Sequence, residues 1–282
     1  MFSNAEHSNW RLNHNRKRTG ANPSESNFSC CIGERDNLKT QCVICYSVSD
    51  VANLVRDTLN SLKTLRQYVD KEEVVVFYTP PLSERNSKLL SKYALVEKTE
   101  NFTEPFRLEV SLEKGRYGEK IHLCDLNSPN VIFLDSDTWV KKSPFELLEG
   151  DFDFSGRVDD SYLDVDFNAW NQLFETNGKK PIPLINTGVL VFKNNMHKKV
   201  KNEWLRFFNM KIPHLHPYFY QKDEYALTLA VSDMNIKWMS ASEHAYRWKR
   251  EYFNDTCILH GKKRGLWPIA KGVVRELAFN RG

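Results

Sequence analysis

The sequence lacks the long apolar segments that mark membrane proteins. No run of about 18 apolar residues occurs in the 282-residue chain, which argues against a transmembrane helix. The polar N-terminus has no apolar h-region, so no secretory signal is predicted. We therefore expect a cytoplasmic protein, and a peripheral position at a membrane surface is left open.

A strong charge of either sign is lacking as well. The net charge is +4 and the pI about 8.6, which is too mildly basic to indicate a nucleic-acid partner. The content of 41% hydrophobic and 27% charged residues is that of an ordinary globular protein. The length allows one large or two modest domains.

Paired cysteine motifs are almost absent. Cys42 and Cys45 form one C-x-x-C, and no second pair completes a zinc site. Because these two cysteines lie inside an apolar run, we interpret them as buried thiols of a strand, with a redox or zinc half-site as the alternative. Reduced thiols agree with a cytoplasmic location.

The chain divides by composition into a tail and a domain. Residues 1–40 are rich in Asn, Ser, Arg and Lys and predict a disordered or loosely attached tail. From Gln41 onward, apolar runs of strand length alternate with helical patterns, and no internal repeat occurs. We expect one mixed α/β domain over residues 41–282.

The first half of this domain has four apolar runs that predict buried strands: Cys42–Val48, Val74–Tyr78, Ala94–Glu97 and Val131–Leu134. Helical patterns separate them, and Asp50 is a candidate cap for the first helix. This alternation predicts a parallel sheet that is covered on both faces. The ligand crevice of such a sheet lies at the carboxyl ends of its strands.

The second half is less regular. Phe152–Arg157 is a candidate strand, and Leu184–Phe192 indicates a strand interrupted by a polar bend. The remaining predicted elements are helices near Gly118–Leu126, His197–Asn209 and Lys222–Met234, and short strands at Ile236–Ser240 and Thr256–Leu259.

Two carboxylates follow the fourth apolar run directly. Asp135 and Asp137 are spaced i, i+2 at the strand end, where both can turn toward one ion. Such a pair repels itself unless a cation or a proton lies between the charges. Hard oxygen ligands suit Mg²⁺ or Mn²⁺, so we predict a metal site there, with a solvated turn as the alternative.

Three further polar groups are candidates for the same site. His260-Gly261-Lys262 follows a short apolar run; the imidazole can complete a Mn²⁺ site, and Lys262 or Lys263 can neutralise a diphosphate. A satisfied histidine and a solvated loop are the alternative. The glycine of Asn186-Thr187-Gly188 suggests that another group approaches the strand backbone closely there, with a β-bulge as the alternative. Gln221-Lys222-Asp223-Glu224 can hold a sugar hydroxyl or simply begin a helix.

In this order, the motifs resemble those of GT-A glycosyltransferases, most closely the family 8 type, over roughly residues 41–267. The motifs are Tyr117-Gly118-Glu119-Lys120, Phe133-Leu134-Asp135-Ser136-Asp137-Thr138, Ile185-Asn186-Thr187-Gly188-Val189, Asp223-Glu224 and His260-Gly261-Lys262. The resemblance implies a GT-A fold, with a central, mostly parallel sheet flanked by helices.

The resemblance also implies an activity. It is the transfer of a sugar, with retention, from a nucleotide-diphosphate sugar, commonly a UDP-sugar, to a carbohydrate, lipid-linked or protein acceptor. It implies Mn²⁺ or Mg²⁺ held by Asp135, Asp137 and His260. The catalytic residues would be Asn186, Gln221 and Asp223. The donor-binding residues would be Tyr46, Ser47, Lys120, Asp135, Ser136, Gly188, Gly261 and Lys262.

Two features depart from the family pattern. The helix start reads Lys222-Asp223-Glu224 where the family often has Asp-Gln or Gln-Asp, and the loop after Gly261 is longer than usual. If the transfer inverts configuration, the candidate general bases are Asp159, Asp160, Asp164, Asp223 and Glu224. The alternative functions are a HAD-like phosphatase and a non-catalytic sugar- or nucleotide-binding module.

Overall fold

A computed structural model describes residues 41–50, 52–78, 82–100, 106–107, 114–115, 117–160, 162, 165–210, 222–246 and 255–261. Predictions for the 1–40 tail, for Asp164, Gln221 and Lys262 therefore lie outside the described residues. Within these residues, no helix is long and apolar enough to cross a membrane.

Five α-helices are described: α1 Ala52–Leu65, α2 Glu84–Leu90, α3 Phe167–Thr176, α4 Met196–Asn209 and α5 Lys222–Val231. Three 3₁₀ helices span Lys71–Glu73, Tyr117–Asp125 and Pro144–Leu148. The twelve described strands are β1 Cys42–Val48, β2 Val74–Tyr78, β3 Leu95–Lys98, β4 Phe106–Arg107, β5 Lys114–Gly115, β6 Asn130–Leu134, β7 Trp139–Val140, β8 Phe154–Val158, β9 Ile185–Phe192, β10 Ile236–Trp238, β11 His244–Tyr246 and β12 Ile258–His260.

Seven of the described strands form the central sheet, in the order β10-β8-β9-β6-β1-β2-β3. All neighbouring pairs are parallel except the two that β9 makes with β6 and β8. The strands other than β9 therefore share one direction, and the first residues of β9 lie beside the carboxyl ends of β6 and β8. The prediction of a mostly parallel sheet is confirmed.

Both faces of the sheet are covered, as predicted. The apolar residues of one face pack with α3, α4, α5 and the 3₁₀ helix 117–125, and this core contains the fully buried Trp170 and Trp204. The other face packs with α1 and α2. A small sheet, in the order β11-β12-β7, contributes Val140 and Ile258 to this second core.

Local signals explain several boundaries. Ser83 caps α2 by accepting a hydrogen bond from the Asn86 amide, and Asp166 caps α3 by accepting from Asn168 and Ala169. Asp50, the predicted cap of α1, accepts hydrogen bonds from Ser83 and Asn86 and so joins the starts of α1 and α2.

One sequence prediction was wrong in detail, and another is confirmed in part. β9 is one strand of eight buried residues, so the predicted polar interruption does not divide it. Its register against β8 nevertheless shifts at the predicted place, because Ser155 pairs with Val191 and Arg157 with Asn186, which leaves residues 187–190 of β9 opposite Gly156 alone. The segment predicted as a helix near Gly118 is a 3₁₀ helix.

Candidate active site

The polar motifs meet at one edge of the central sheet. Asp135 follows β6, Asn186 is the second residue of the antiparallel β9, and Asp159 follows β8. His260 ends β12 of the small sheet, and Asp223 lies in the first turn of α5. Residues far apart in sequence thus converge because β9 runs against its neighbours and brings its first residues to their carboxyl ends.

The predicted metal ligands form one cluster. Asp135, Asp137 and His260 each offer a ligand atom, and these atoms all lie within 4.8 Å of one another. Nε2 of His260 lies 3.6 Å from Oδ2 of Asp135 and 3.4 Å from Oδ1 of Asp137. Both carboxylates are half-buried, and His260 is buried. Two carboxylates and one imidazole are a suitable donor set for a divalent cation such as Mn²⁺.

Gly188 makes room for the histidine. A Cβ atom at this position would lie 2.0 Å from Cε1 of His260 and 2.5 Å from Nε2. No real side chain allows such contacts, so glycine is required for the imidazole to lie against β9. The β9 backbone also holds the first acid, since the Asp135 amide donates to the carbonyl of Gly188 at 2.8 Å.

Lys120 is a buried cation between two acids. Its ammonium lies 3.1 Å from Oδ1 of Asp135 and 3.2 Å from Oδ2 of Asp223. It also donates to Oγ1 of Thr187 at 2.9 Å, and this hydroxyl in turn donates to Asp223 at 2.7 Å. Its N–H donors therefore face protein acceptors, and Lys120 fixes the relative positions of Asp135 and Asp223.

These contacts set the charges of the cluster. Burial alone would raise the pKa of Asp135, but the positive charge of Lys120 and hydrogen bonding to His260 outweigh it and lower this pKa. Burial opposes protonation of His260, whereas its hydrogen bonds to Asp135 and Asp137 favour it and raise the pKa of the imidazole to about 9. In the metal-free state, a proton on His260 compensates part of the charge of the acids.

The turn that carries the acids is supported from the core. Oγ1 of Thr138 donates to the carbonyl of Asp135 at 2.8 Å and also bonds Oγ of Ser61 at 2.8 Å. The hydroxyl of Tyr46 bonds the same serine at 2.9 Å. Tyr46 is fully buried, so the side chain of this predicted donor-binding residue belongs to the support of the turn.

A second acidic group lies on the other side of Asn186. The Asn186 amide nitrogen donates to Oδ2 of Asp159 at 2.8 Å and to Oε1 of Glu224 at 3.3 Å. Tyr246 donates its hydroxyl to the same oxygen of Asp159 at 3.1 Å. The two carboxyl groups, which we call the acid pair, are thus bridged by a neutral amide.

The other predicted site residues lie at or near this edge. Ser136 is buried between the two acids, and Ser47 is half-buried near the end of β1. Gly261 follows His260 with a φ of 89°, a conformation that favours glycine. Their contacts with a donor stay predictions, as do the roles of Gln221 and Lys262.

Sequence reasoning named Asp159 only as a candidate base, and Thr187 and Glu224 as members of polar motifs without these contacts; it missed Tyr246 and Ser61. Asp159 follows a strand just as Asp135 does, so this signal was present in the sequence. The other residues have no local signal in the sequence, because their hydrogen-bond partners are distant along the chain and come close only in the folded protein.

The sequence model described as glycosyl transferase family 8 matches residues 59–222, more than half of the chain. The comparison with curated proteins finds no match. Similar solved structures include the apo structure of the bifunctional glycosyltransferase WbbM, with a TM-score of 0.55 and 17% identity, over 79% of this chain and 46% of that one.

The galactosyltransferase LgtC, solved in complex with donor and acceptor sugar analogs, has a TM-score of 0.53 and 14% identity, over 77% of this chain and 86% of that one. The glycosyltransferase GlyE of Streptococcus pneumoniae has a TM-score of 0.51 and 11% identity, over 79% of this chain and 55% of that one. At these identities the likeness shows the fold, which is that of GT-A glycosyltransferases. The chain spans less than half the length of WbbM.

Proposed function

Because the chain belongs to glycosyl transferase family 8, and is therefore a glycosyltransferase, we propose that it transfers a sugar from a UDP-sugar to an acceptor hydroxyl with retention of anomeric configuration. We further propose Mn²⁺, or alternatively Mg²⁺, as the cofactor. The observation that carries this proposal is the cluster of Asp135, Asp137 and His260, whose ligand atoms lie within 4.8 Å of one another.

The chemistry of the cluster fits a divalent cation. Two carboxylate oxygens and an imidazole nitrogen are ligands that Mn²⁺ accepts, and Mg²⁺ accepts the carboxylates. Gly188 leaves the space that His260 needs to face both acids. When bound, the cation would offset the negative charge that develops on the departing nucleotide diphosphate.

Lys120 and Thr187 would act as positioning residues. Lys120 bridges Asp135 and Asp223, and Thr187 bonds both Lys120 and Asp223. The metal side and the first turn of α5 are therefore held at a fixed separation. Lys262, two positions after His260, would add positive charge for the diphosphate.

The remaining residues would face the sugar. A nucleotide diphosphate leaves as a stable anion, so no carboxylic acid needs to protonate it, unlike the leaving group in glycoside hydrolysis. The site must then stabilise an oxocarbenium-like centre on the sugar and position the acceptor hydroxyl. We assign these tasks to Asn186, Asp223 and Gln221. LgtC binds donor and acceptor sugar analogs, and we propose that both ligands of this protein meet at the same edge of the sheet.

The proposal leaves the acceptor open among carbohydrate, lipid-linked and protein hydroxyls. A cytoplasmic location and the division into a 1–40 tail and a 41–282 catalytic domain stay predictions. Family membership favours a glycosyltransferase over the phosphatase alternative.

The test is a screen of nucleotide sugars with and without Mn²⁺. A ligand at a hundred times its Kd adds about 2.7 kcal/mol of apparent stability, which a thermal shift detects. We expect a UDP-sugar to stabilise the protein only when Mn²⁺ is present. We also expect the protein to release UDP slowly from that UDP-sugar. Asp137→Ala should abolish both effects.

The matched control is Asp151→Ala, because Asp151 is exposed and precedes β8, at the opposite edge of the sheet from Asp159. It should behave as the wild type. Full UDP release by Asp137→Ala would contradict the metal assignment, and stabilisation by no nucleotide sugar would contradict the donor class.

A further inference from the structure

The two oxygens of Glu224 differ in their surroundings. The Asn186 side chain cannot be turned over, because the Gly188 amide donates to its Oδ1 at 3.0 Å. Its Nδ2 therefore faces the acid pair and donates to Oε1 of Glu224. Oε2 of Glu224 is buried and has no hydrogen-bond partner among the residues that the structure describes.

An ionised Glu224 does not fit this environment. The residue is 7% exposed and makes no ion pair with a described residue. A buried carboxylate oxygen without a donor or a cation is strongly disfavoured. A neutral carboxylic acid has one carbonyl oxygen, which accepts, and one hydroxyl, which donates. Since Oε1 already accepts from Asn186, the proton belongs on Oε2.

The charges around Glu224 also favour the neutral form. The titratable groups that face it are Asp159 after β8, Asp135 after β6, Lys120 of the 3₁₀ helix, Tyr246 of β11, and Asp223 and Tyr225 of α5. Burial and then the charges of Asp159 and Asp223 raise the pKa of Glu224 well above its usual value, and Lys120 opposes them. Lys120 is itself engaged by Asp135 and Asp223.

We propose that Glu224 is a neutral carboxylic acid in the folded protein, bridged to Asp159 by Asn186, and that its Oε2 hydroxyl donates a hydrogen bond to an oxygen atom of the transferred sugar. The sugar as ligand rests on the proposed function, whereas the protonation of Glu224 does not. The hydroxyl binds the sugar and transfers no proton. A buried donor without a partner is costly, and a ligand oxygen would remove that cost.

The first experiment tests the proton without any ligand. The infrared spectrum of the full-length protein at neutral pH should show the carbonyl stretch of a protonated carboxyl group. The difference spectrum between the wild type and Glu224→Gln should assign this band, because the substitution removes it. Glu243→Gln is the matched control, because Lys237 and Ser240 hold the pKa of Glu243 below its usual value against the effect of burial. It should leave the band in place.

Loss of the band in Asp159→Asn instead of Glu224→Gln would overturn the proposal, and so would absence of the band in the wild type. If Glu224→Gln does not fold, the δ-carbon shift of ¹³C-labelled glutamate in the wild type decides the same question. One glutamate that stays protonated at pH 7 supports the proposal, and full ionisation of all glutamates overturns it.

The second experiment tests the hydrogen bond to the sugar, with UDP-glucose and UDP-galactose as probes in the presence of Mn²⁺. Glutamine keeps a donor and no charge, so Glu224→Gln should bind the better probe about as tightly as the wild type. Glu224→Ala should bind it about tenfold more weakly, the size expected for one hydrogen bond. Affinity for UDP alone should be the same in all three proteins.

Equal damage in both variants would show that the negative charge is needed, and no damage in Glu224→Ala would show that the sugar does not contact this group. Either result overturns the proposal. If the wild type binds neither probe but its ligand-free infrared spectrum still shows the band, the proposed function fails and the protonation of Glu224 stands.

Discussion

Two acidic groups share one edge of the sheet, and their partners differ in charge. The metal cluster has Lys120 beside Asp135, and His260 faces both of its acids. The acid pair is bridged by the amide of Asn186 and contacted by the phenol of Tyr246. The first group thus contacts cationic side chains, whereas the acid pair accepts hydrogen bonds from a neutral amide and a phenol.

The difference would let one fold hold a metal ion at one acidic group and a proton at the other. Burial raises the pKa of a carboxyl group in both places, but Lys120 reverses the effect for Asp135, and neighbouring acids add to it for Glu224. Acids that stay ionised can hold a cation. An acid that keeps its proton can donate to a neutral ligand such as a sugar.

The largest expected effect comes from filling the space at Gly188. In Gly188→Ala, the added Cβ would meet the His260 ring at 2.0 Å, so the imidazole must leave its place. We expect Mn²⁺ affinity to fall about 100-fold or more, with a matching loss of activity. Titration calorimetry with Mn²⁺ measures the affinity.

Gly156→Ala is its control, because the new Cβ would press on Phe154 and Ile185 at 3.0 Å, within the core. It should cost about 1 to 3 kcal/mol of stability, as overpacking does, and leave Mn²⁺ affinity unchanged. Wild-type affinity in Gly188→Ala would show that His260 is not a ligand.

The next effect is on stability. Lys120→Met leaves the charges of Asp135 and Asp223 buried without their cation, which should cost about 3 to 5 kcal/mol of unfolding free energy. Urea denaturation measures it. Adding Asp223→Asn should recover part of the loss, because one of the two stranded charges is removed.

Lys179 offers a counterpart whose acids face solvent: its own side chain is 9% exposed, but its ion pairs at 2.7 Å are with Glu203 and Asp233, whose side chains are 41% and 63% exposed. Solvent screens such pairs, so Lys179→Met should cost no more than about 1 kcal/mol. Similar losses of unfolding free energy in Lys120→Met and Lys179→Met would show that the buried ion pairs of Lys120 do not differ from those of Lys179.

A third effect separates the two acidic groups by pH. The folded-state pKa of Glu224 is raised, so the folded protein holds a proton that the unfolded chain loses above about pH 4.3, and this group lowers stability as pH rises. The pKa of Asp135 is lowered, so its contribution is instead lost as pH falls. Glu224→Gln should therefore flatten the fall in stability above that pH, by up to about 1.4 kcal/mol per pH unit. Urea unfolding of metal-free protein across pH 5 to 8, a range of about 3 units, tests this, and parallel curves would contradict it.

The smallest effect concerns the support of the Asp135 turn. Ser61→Ala leaves the hydroxyls of Tyr46 and Thr138 without their shared partner, which should cost about 1 to 2 kcal/mol. The acid pair should be unaffected. In a Tyr46→Phe background the cost should be smaller, because one stranded hydroxyl is already gone. An equal cost in both backgrounds would argue against the hydrogen-bonded chain.

The sequence predicted the parallel part of the fold because buried parallel strands are continuous apolar runs. β1, β2 and β6 were predicted to within one residue, and the acids after β6 were found because they end such a run. The helix α3 was missed although Asp166 and the spacing of Trp170 and Phe174 carried its signal. Phe167, which begins it, is exposed and hid the pattern.

The acid pair could not be assembled from the sequence. Its bridging residue lies 27 positions from Asp159 and 38 from Glu224, and nothing local joins them. The polar start of β9 suggested an interruption because polar residues usually end a buried strand, and the register of β9 against β8 does shift there. The strand is nevertheless continuous, because the polar side chains of Asn186 and Thr187 find partners at the site.

β9 therefore sets the spacing between the two acidic groups. Its end is fixed by regular pairing with β6 from Val189 to Phe192, whereas residues 187–190 lie opposite Gly156 alone in β8. An inserted or deleted residue between Asn186 and Val189 would bring a side chain against His260 or withdraw Asn186 from the acid pair. The connection that precedes this strand is itself anchored at its end, because the carbonyl of Ile182 accepts from Trp170 and Leu184 is fully buried. Changes of length should accordingly be tolerated at the exposed Lys180 and Pro181 and become sharply restricted from Ile182 onward.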